Sequence, residues 1–195
     1  MRVISICLLF VVACAASSAR VGSLQTGGVL FERATNVALI QYDKISVQRI
    51  RGIGQVYRID ISNQISFKGK TLSSSVEIIA FDPNLLPDGH IYVPTKPSFA
   101  LLFLRSRDDS RYNYVATDIE QVFIEPEISV ALSSFRTLPE LVVYLLRSSV
   151  AKNRRMGLLL AGNLESTDLN VELRRLAETG SDEERVLARK ALQLK

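Results

Sequence analysis

The chain has 195 residues, 47% of them hydrophobic, with 24 Lys and Arg against 20 Asp and Glu for a formal net charge of +4. That mild excess favours solubility and weak attraction to anionic polymers and is no nucleic-acid footprint, which takes a dense basic patch. One histidine and two cysteines, Cys7 and Cys14, exclude a histidine-cluster zinc site and a disulfide-stapled fold.

Residues 1–19 read as an export leader: Arg2 supplies the positive end, 3–12 the apolar run and 13–19 the small residues. The run falls short of the roughly 20 apolar residues that span a bilayer. Cleavage after Ala19 or after Ala16 removes both cysteines. Alternatively, Val11-Val12-Ala13-Cys14 resembles a bacterial lipobox, with Val in place of the usual Leu. That resemblance implies a lipid on Cys14 and a membrane contact through the acyl chains only. The localisation expected is secreted or periplasmic, with no membrane-spanning segment later in the chain. Residues 20–34, with Gly27-Gly28, read as a flexible linker.

From 35 to 127 the hydrophobic pattern is that of strands. Residues 36–47 are aliphatic and β-branched. Tyr57, Ile59, Ile61, Ile65 and Phe67 fall on one face at period two, with Arg58, Asp60, Ser62, Gln64 and Ser66 on the other. Gly52 and Gly54 mark a hairpin between them. Residues 76–81 and 99–104 read as buried strands, and 112–116 and 119–124 complete the set. Pro83, Pro87, Pro94 and Pro97 make 82–98 an ordered surface loop. Five or six short strands with this crossover fit a small antiparallel barrel.

The run from Tyr57 to Phe67-Lys68-Gly69 resembles the second strand and following turn of netrin-like domains, the barrel found in tissue inhibitors of metalloproteinases. Residues 36–42 are similar to the strand before it, and 99–104 to a later apolar strand. The resemblance implies an oligonucleotide/oligosaccharide-binding type of barrel. Those inhibitors act through an N-terminal cysteine and are laced by disulfides, and this chain has neither, so protease inhibition rests on the resemblance alone. Phe67-Lys68-Gly69 equally reads as a strand end at which Gly turns the chain.

Residues 137–195 read as helices, giving an α+β fold. Thr137-Leu138-Pro139-Glu140 is a capping box with Pro in the first turn, opening a helix to about 149. A second helix covers 151–164, and a third runs from about 168 to Gly180, which suits a left-handed cap. Ser181-Asp182-Glu183-Glu184 opens a fourth, to about 193. A shift of 31 positions lays Arg154, Met156, Gly157 and Leu160 over Arg185, Leu187, Ala188 and Ala191. This resembles HEAT or armadillo-type repeats, in at most about one and a half units where a free solenoid needs about three. The resemblance implies helices that pack on the barrel or on another protein; an ordinary helical appendage is the alternative.

Nothing here points to catalysis, a metal or a cofactor. His90 stands alone in a turn, Ser73-Ser74-Ser75 lacks a nucleophile elbow, and Asp108-Asp109 lies between Arg107 and Arg111 as a solvated hairpin tip. The expectation is a non-catalytic extracytoplasmic scaffold whose partner is another protein, with Arg154, Arg155 and Arg185 on its exposed polar rim. The alternative is a barrel that binds an anionic glycan through Arg49, Arg51, Arg58, Lys68 and Lys70, helped by Arg105, Arg107 and Tyr112. No nucleic acid is expected.

Overall fold

A computed structural model describes residues 26–50, 54–80, 89, 91–107, 111–114 and 126–193. The leader with Cys14, and also Arg51, His90, Asp108, Asp109 and the strand expected over 119–124, lie outside the described residues.

The described strands are β1 (Asn36–Ile50), β2 (Gly54–Lys68), β3 (Ser75–Ala80), β4 (Ile91–Tyr92), β5 (Ser98–Ser106) and β6 (Arg111–Tyr114). The helices are α1 (Gly27–Arg33), α2 (Leu138–Arg147), α3 (Ala151–Leu160), α4 (Thr167–Thr179) and α5 (Asp182–Gln193). A 3-10 turn at Leu132–Ser134 leads into α2. The fold is therefore α+β, with a sheet followed by helices. Five strands pair in a ring: β1 with β2, β2 with β3, β3 with β6, β6 with β5, and β5 back to β1. Every pairing in it is antiparallel except β3 with β6.

The ring's inward side chains form one apolar cluster that includes Ile40, Tyr42, Tyr57, Ile59, Ile78, Leu102 and Tyr112. Register shifts in the β1–β2 pair decide which residues reach it. Asp43 is an extra residue between Tyr42↔Ile61 and Lys44↔Asp60, so β1 turns its even positions inward up to Tyr42 and its odd positions, Ile45 and Val47, beyond. Ser62 does the same in β2. Tyr57, Ile59 and Ile61 point into the ring, whereas Ile65 and Phe67 pack on the opposite side against the helices. The single period-two face read from the sequence is thus two faces joined by a bulge, because one inserted residue inverts the alternation.

β1 and β5 are apolar on both sides for a related reason. Ala38, Ile40, Leu102 and Leu104 line the ring, while Val37, Leu39, Leu101 and Phe103 belong to a second cluster shared with all the helices. Val37 sits opposite Phe103, and Leu39 opposite Leu101. Burying each such side chain contributes about 1.5–3 kcal/mol. The helical layer accordingly packs on the protein's own sheet. Of the two coverings expected for the helices, the strand domain or another protein, the strand domain supplies one.

Two expectations for the connecting segments are corrected. The part of the supposed flexible linker that is described is helix α1, capped by Thr26 and buried at Leu30. Gly27 and Gly28 are there for contact, not looseness: a Cβ on Gly27 would lie 2.2 Å from the Leu160 carbonyl oxygen, and one on Gly28 would lie 2.3 Å from that of Asn163. Gly28 N–H donates to the Gly162 carbonyl at 3.0 Å, which docks α1 on the turn after α3. The proline-rich loop, for its part, holds strand β4. β5 covers β1 only from Asn36 to Tyr42, which leaves Ile45 and Ser46 with an open edge that Tyr92 and Ile91 fill.

The helices follow their caps. Thr137 and Glu140 make the full capping box, and Ser181 and Glu184 exchange the same pair of bonds. Gly180 ends α4 with φ −70°, not in the left-handed region. Its requirement is space, since a Cβ there would meet the Leu176 carbonyl at 2.6 Å. The left-handed residue lies one turn past α3, at Asn163, with φ 60°. α2 packs on α3 and α4, and α5 on α4 and α3, so two helical hairpins lie side by side.

Candidate functional site

The cations proposed for the strand face do not form one patch. Lys68 and Arg49 are at opposite ends of the β1–β2 hairpin. Lys68 pairs with Val37, and twelve residues separate Val37 from Arg49, about 40 Å along the strand. Lys68 is committed inside the fold: its Nζ donates to the Phe31 carbonyl at 2.7 Å and to the Glu32 carbonyl at 3.2 Å, and stands 5.1 Å from the centre of the Phe31 ring. It thereby closes the C-terminal end of α1, where a cation also meets the helix dipole. Tyr112 is buried in the ring core and presents no face to a ligand, which corrects its assignment as a binding residue.

Arg58 is exposed on the outer side of β2, with Nε donating to Ser75 Oγ at 3.4 Å. Its cross-strand neighbours are Ser46 and Glu77, and Glu77 in turn is opposite and ion-paired with Arg111 at 3.1 Å. In the adjoining row Lys44 faces Asp60, which accepts from Ser75 Oγ at 3.0 Å. Signs alternate across this surface, as in a self-neutralising ladder. It offers an anionic chain little net attraction.

The rim arginines of the helical layer are also engaged. Arg154 is half-buried, not exposed: Nε donates to Glu184 Oε1 at 2.6 Å, and one terminal nitrogen donates to the carbonyls of Ser148 at 3.0 Å and Ser149 at 2.9 Å. Arg155 pairs with Glu183 at 3.0 Å in the open. Arg185 donates to the Gly180 carbonyl at 3.1 Å and to Asp182. Glu172 accepts from Arg147 and from Arg175, each at 2.7 Å.

Burial raises the pKa of Glu172, but the hydrogen bonds from Arg175 and Arg147 and their charges outweigh it, leaving the carboxyl below its usual range. Glu184 is also lowered, first by the Ser181 backbone N–H and then by Arg154, against burial. These carboxylates are held ionised. They act as clamps between helices and not as proton donors near neutral pH.

An open cleft of about 710 Å³ lies between the starts of α2 and α4, lined by Glu140, Tyr144, Arg147, Glu165, Ser166 and Asp168 among others. Several of its polar groups serve the fold: Glu140 accepts from the Arg136 and Thr137 N–H groups, Ser166 Oγ accepts from Leu169 N–H, and Tyr144 Oη accepts from Ser129 N–H. No group of three or more His, Cys, Asp or Glu suited to a metal ion occurs among the described residues.

Two surface features were not read from the sequence. Ile91 and Val93, on and just after β4, are 59% and 62% exposed. They are two residues apart at the outermost strand of the described sheet, which among the described residues pairs with β1. Arg33, Lys70, Arg105 and Arg107 are all exposed around the opposite end of the ring. The spacing of Ile91 and Val93 was visible in the sequence, but their strand was hidden among prolines. Arg33 belonged to the supposed linker. Comparison with known proteins gives no match, whether to a family model, a curated protein or a solved structure.

Proposed function

We propose that this chain is a non-catalytic, extracytoplasmic interaction protein that docks another protein along β4, the edge strand of its sheet among the described residues. The observation that carries the reading is the β4 edge. Unpaired backbone N–H and C=O groups on an outermost strand are a template for an added strand, and natural sheets usually guard them with charge, Pro or cover. Pro94 shortens this edge, yet Ile91 and Val93 leave it apolar. In strand addition the main-chain bonds give affinity, and alternate side chains such as Ile91 and Val93 add contact and specificity.

Support for the architecture comes from pairing and repetition. The ring order and its one parallel pair fit a barrel of the oligonucleotide/oligosaccharide-binding type. The two helical hairpins fit a HEAT-like pair that ends at its second unit: Val143 and Leu158, buried in the first, are matched 31 positions on by Arg174 and Arg189, both exposed. A charged outer face is what a terminal repeat presents. Docking through continued helical stacking therefore loses ground to docking at the sheet edge. Export rests on the leader pattern of residues 1–19. The test is capture of a partner from the native host by the full chain and by an Ile91→Lys/Val93→Lys variant, whose exposed positions leave folding intact.

A further inference from the structure

We propose that Arg33, Lys70, Arg105 and Arg107 form a binding site for a linear polyanion, a sulfated or carboxylated glycan, at the end of the ring away from β4. Three separate segments are tied together there by named bonds. Thr35 N–H donates to the Leu104 carbonyl at 2.8 Å, and Ser106 N–H donates to Thr35 Oγ1 at 2.7 Å. Asn36, 7% exposed, donates its Nδ2 to the Lys70 carbonyl at 3.0 Å and accepts from Thr35 Oγ1 at 3.0 Å. Gly69, at φ 78°, turns the chain against Thr35 so closely that a Cβ would lie 2.3 Å from the Thr35 carbonyl. The backbone under the four cations is thus held by bonds within a built corner.

These four share the lack of a side-chain partner with other exposed cations such as Arg136, Lys152, Arg174 and Arg189, and differ from them in standing on three segments joined at one corner. Arg111, Arg147, Arg154, Arg155, Arg175, Arg185 and Lys68 all have a carboxylate or carbonyl partner. Arg33, Lys70, Arg105 and Arg107 make no side-chain hydrogen bond or ion pair among the described residues. The nearby described carboxylates are Glu77, already bound to Arg111, and exposed Glu32. Arg105 and Arg107 alternate on one side of the β5 end, about 7 Å apart, a spacing that lets one chain of charges meet both.

The ligand is read by charge alone. Of the aromatic side chains described near this corner, Phe31 lies under Lys68 and Tyr112 is buried, which disfavours stacking on bases. The exposed apolar pair, Ile91 and Val93, stands beside Ile45 and Ser46, some 30 Å along β1 from Asn36, so it offers a bilayer no foothold at this end of the ring.

The test is retention of the full chain on an immobilised sulfated polysaccharide under a salt gradient, with sedimentation on vesicles of anionic phospholipid in parallel. A variant with Arg33, Lys70, Arg105 and Arg107 changed to Gln is compared with one of equal charge in which Arg136, Lys152, Arg174 and Arg189 become Gln. The expected result is elution of the first at about half the salt needed for the parent and near-parental elution of the second. Asp108→Asn/Asp109→Asn, beside Arg107 in sequence, raises retention. Equal losses in the two Gln variants, elution of the parent below physiological salt, or binding to vesicles but not to glycan would each overturn the site.

Discussion

Arg154 and Arg185, 31 positions apart, turn back on equivalent atoms: Arg154 donates to the Ser149 carbonyl at 2.9 Å and Arg185 to the Gly180 carbonyl at 3.1 Å. Each satisfies the carbonyls left open where the preceding helix ends. They differ in what lies beyond. Arg154 also reaches Glu184 in the next hairpin, whereas Arg185 among the described residues has its own Asp182. Arg154→Met is therefore expected to cost about 1–2 kcal/mol and Arg185→Met less than about 1 kcal/mol, by urea denaturation. Equal costs would show that the rung between hairpins contributes nothing.

Acid should weaken the fold through the carboxylates of the helical layer. The folded pKa values of Glu172 and Glu184 are depressed, so their contribution is complete above the usual glutamate range and is lost as the pH falls through it toward the lower folded values. The stability of the parent is expected to fall between about pH 5 and pH 3, with a shallower fall in Glu172→Gln. Melting curves across that window check it. A Gln variant with an unchanged slope would refute the linkage.

Helix α1 depends on two glycines. Gly28→Ala would set a methyl against backbone at the Asn163 carbonyl, which no rotamer can relieve. A cost of about 1–3 kcal/mol is expected, with faster trypsin cleavage at Arg33. Lys68→Met, which leaves the Phe31 and Glu32 carbonyls without their donor, should speed the same cleavage at a smaller cost of about 1 kcal/mol.

Sheet and helices share one core through Val37, Leu39, Leu101 and Phe103, so they should unfold together. Helical circular dichroism and tyrosine fluorescence are expected to report one coincident transition. Phe103→Ala, fully buried between the two layers, should lower its stability by about 3–5 kcal/mol. Two separated transitions in the parent would contradict a common core.

The helices were legible because their signals are local. Both capping boxes lie within four residues, and the observed helix starts follow them. Most strands were legible too, but not the side each residue faces. The bulges at Asp43 and Ser62 are properties of a register between two strands, and no period within one strand records them. The engagement of Lys68, Arg154 and Tyr112 within the fold was hidden for a similar reason: a charge or an aromatic in a sequence does not reveal the carbonyl, carboxylate or core that already holds it. The β4 edge was missed because a two-residue strand among prolines has no pattern of its own. It exists because β5 stops short of Ile45.

The account rests most on the β4 edge. The direct measurement is cross-linked capture from the native host by three full-length chains: the parent, Ile91→Lys/Val93→Lys, and Val171→Lys/Val186→Lys as a control that alters equally exposed valines on α4 and α5. The edge reading predicts a partner held by the parent and the control and lost from the β4 variant, with circular dichroism unchanged throughout. Retention of the partner by the β4 variant, or its loss only from the helical control, would contradict it.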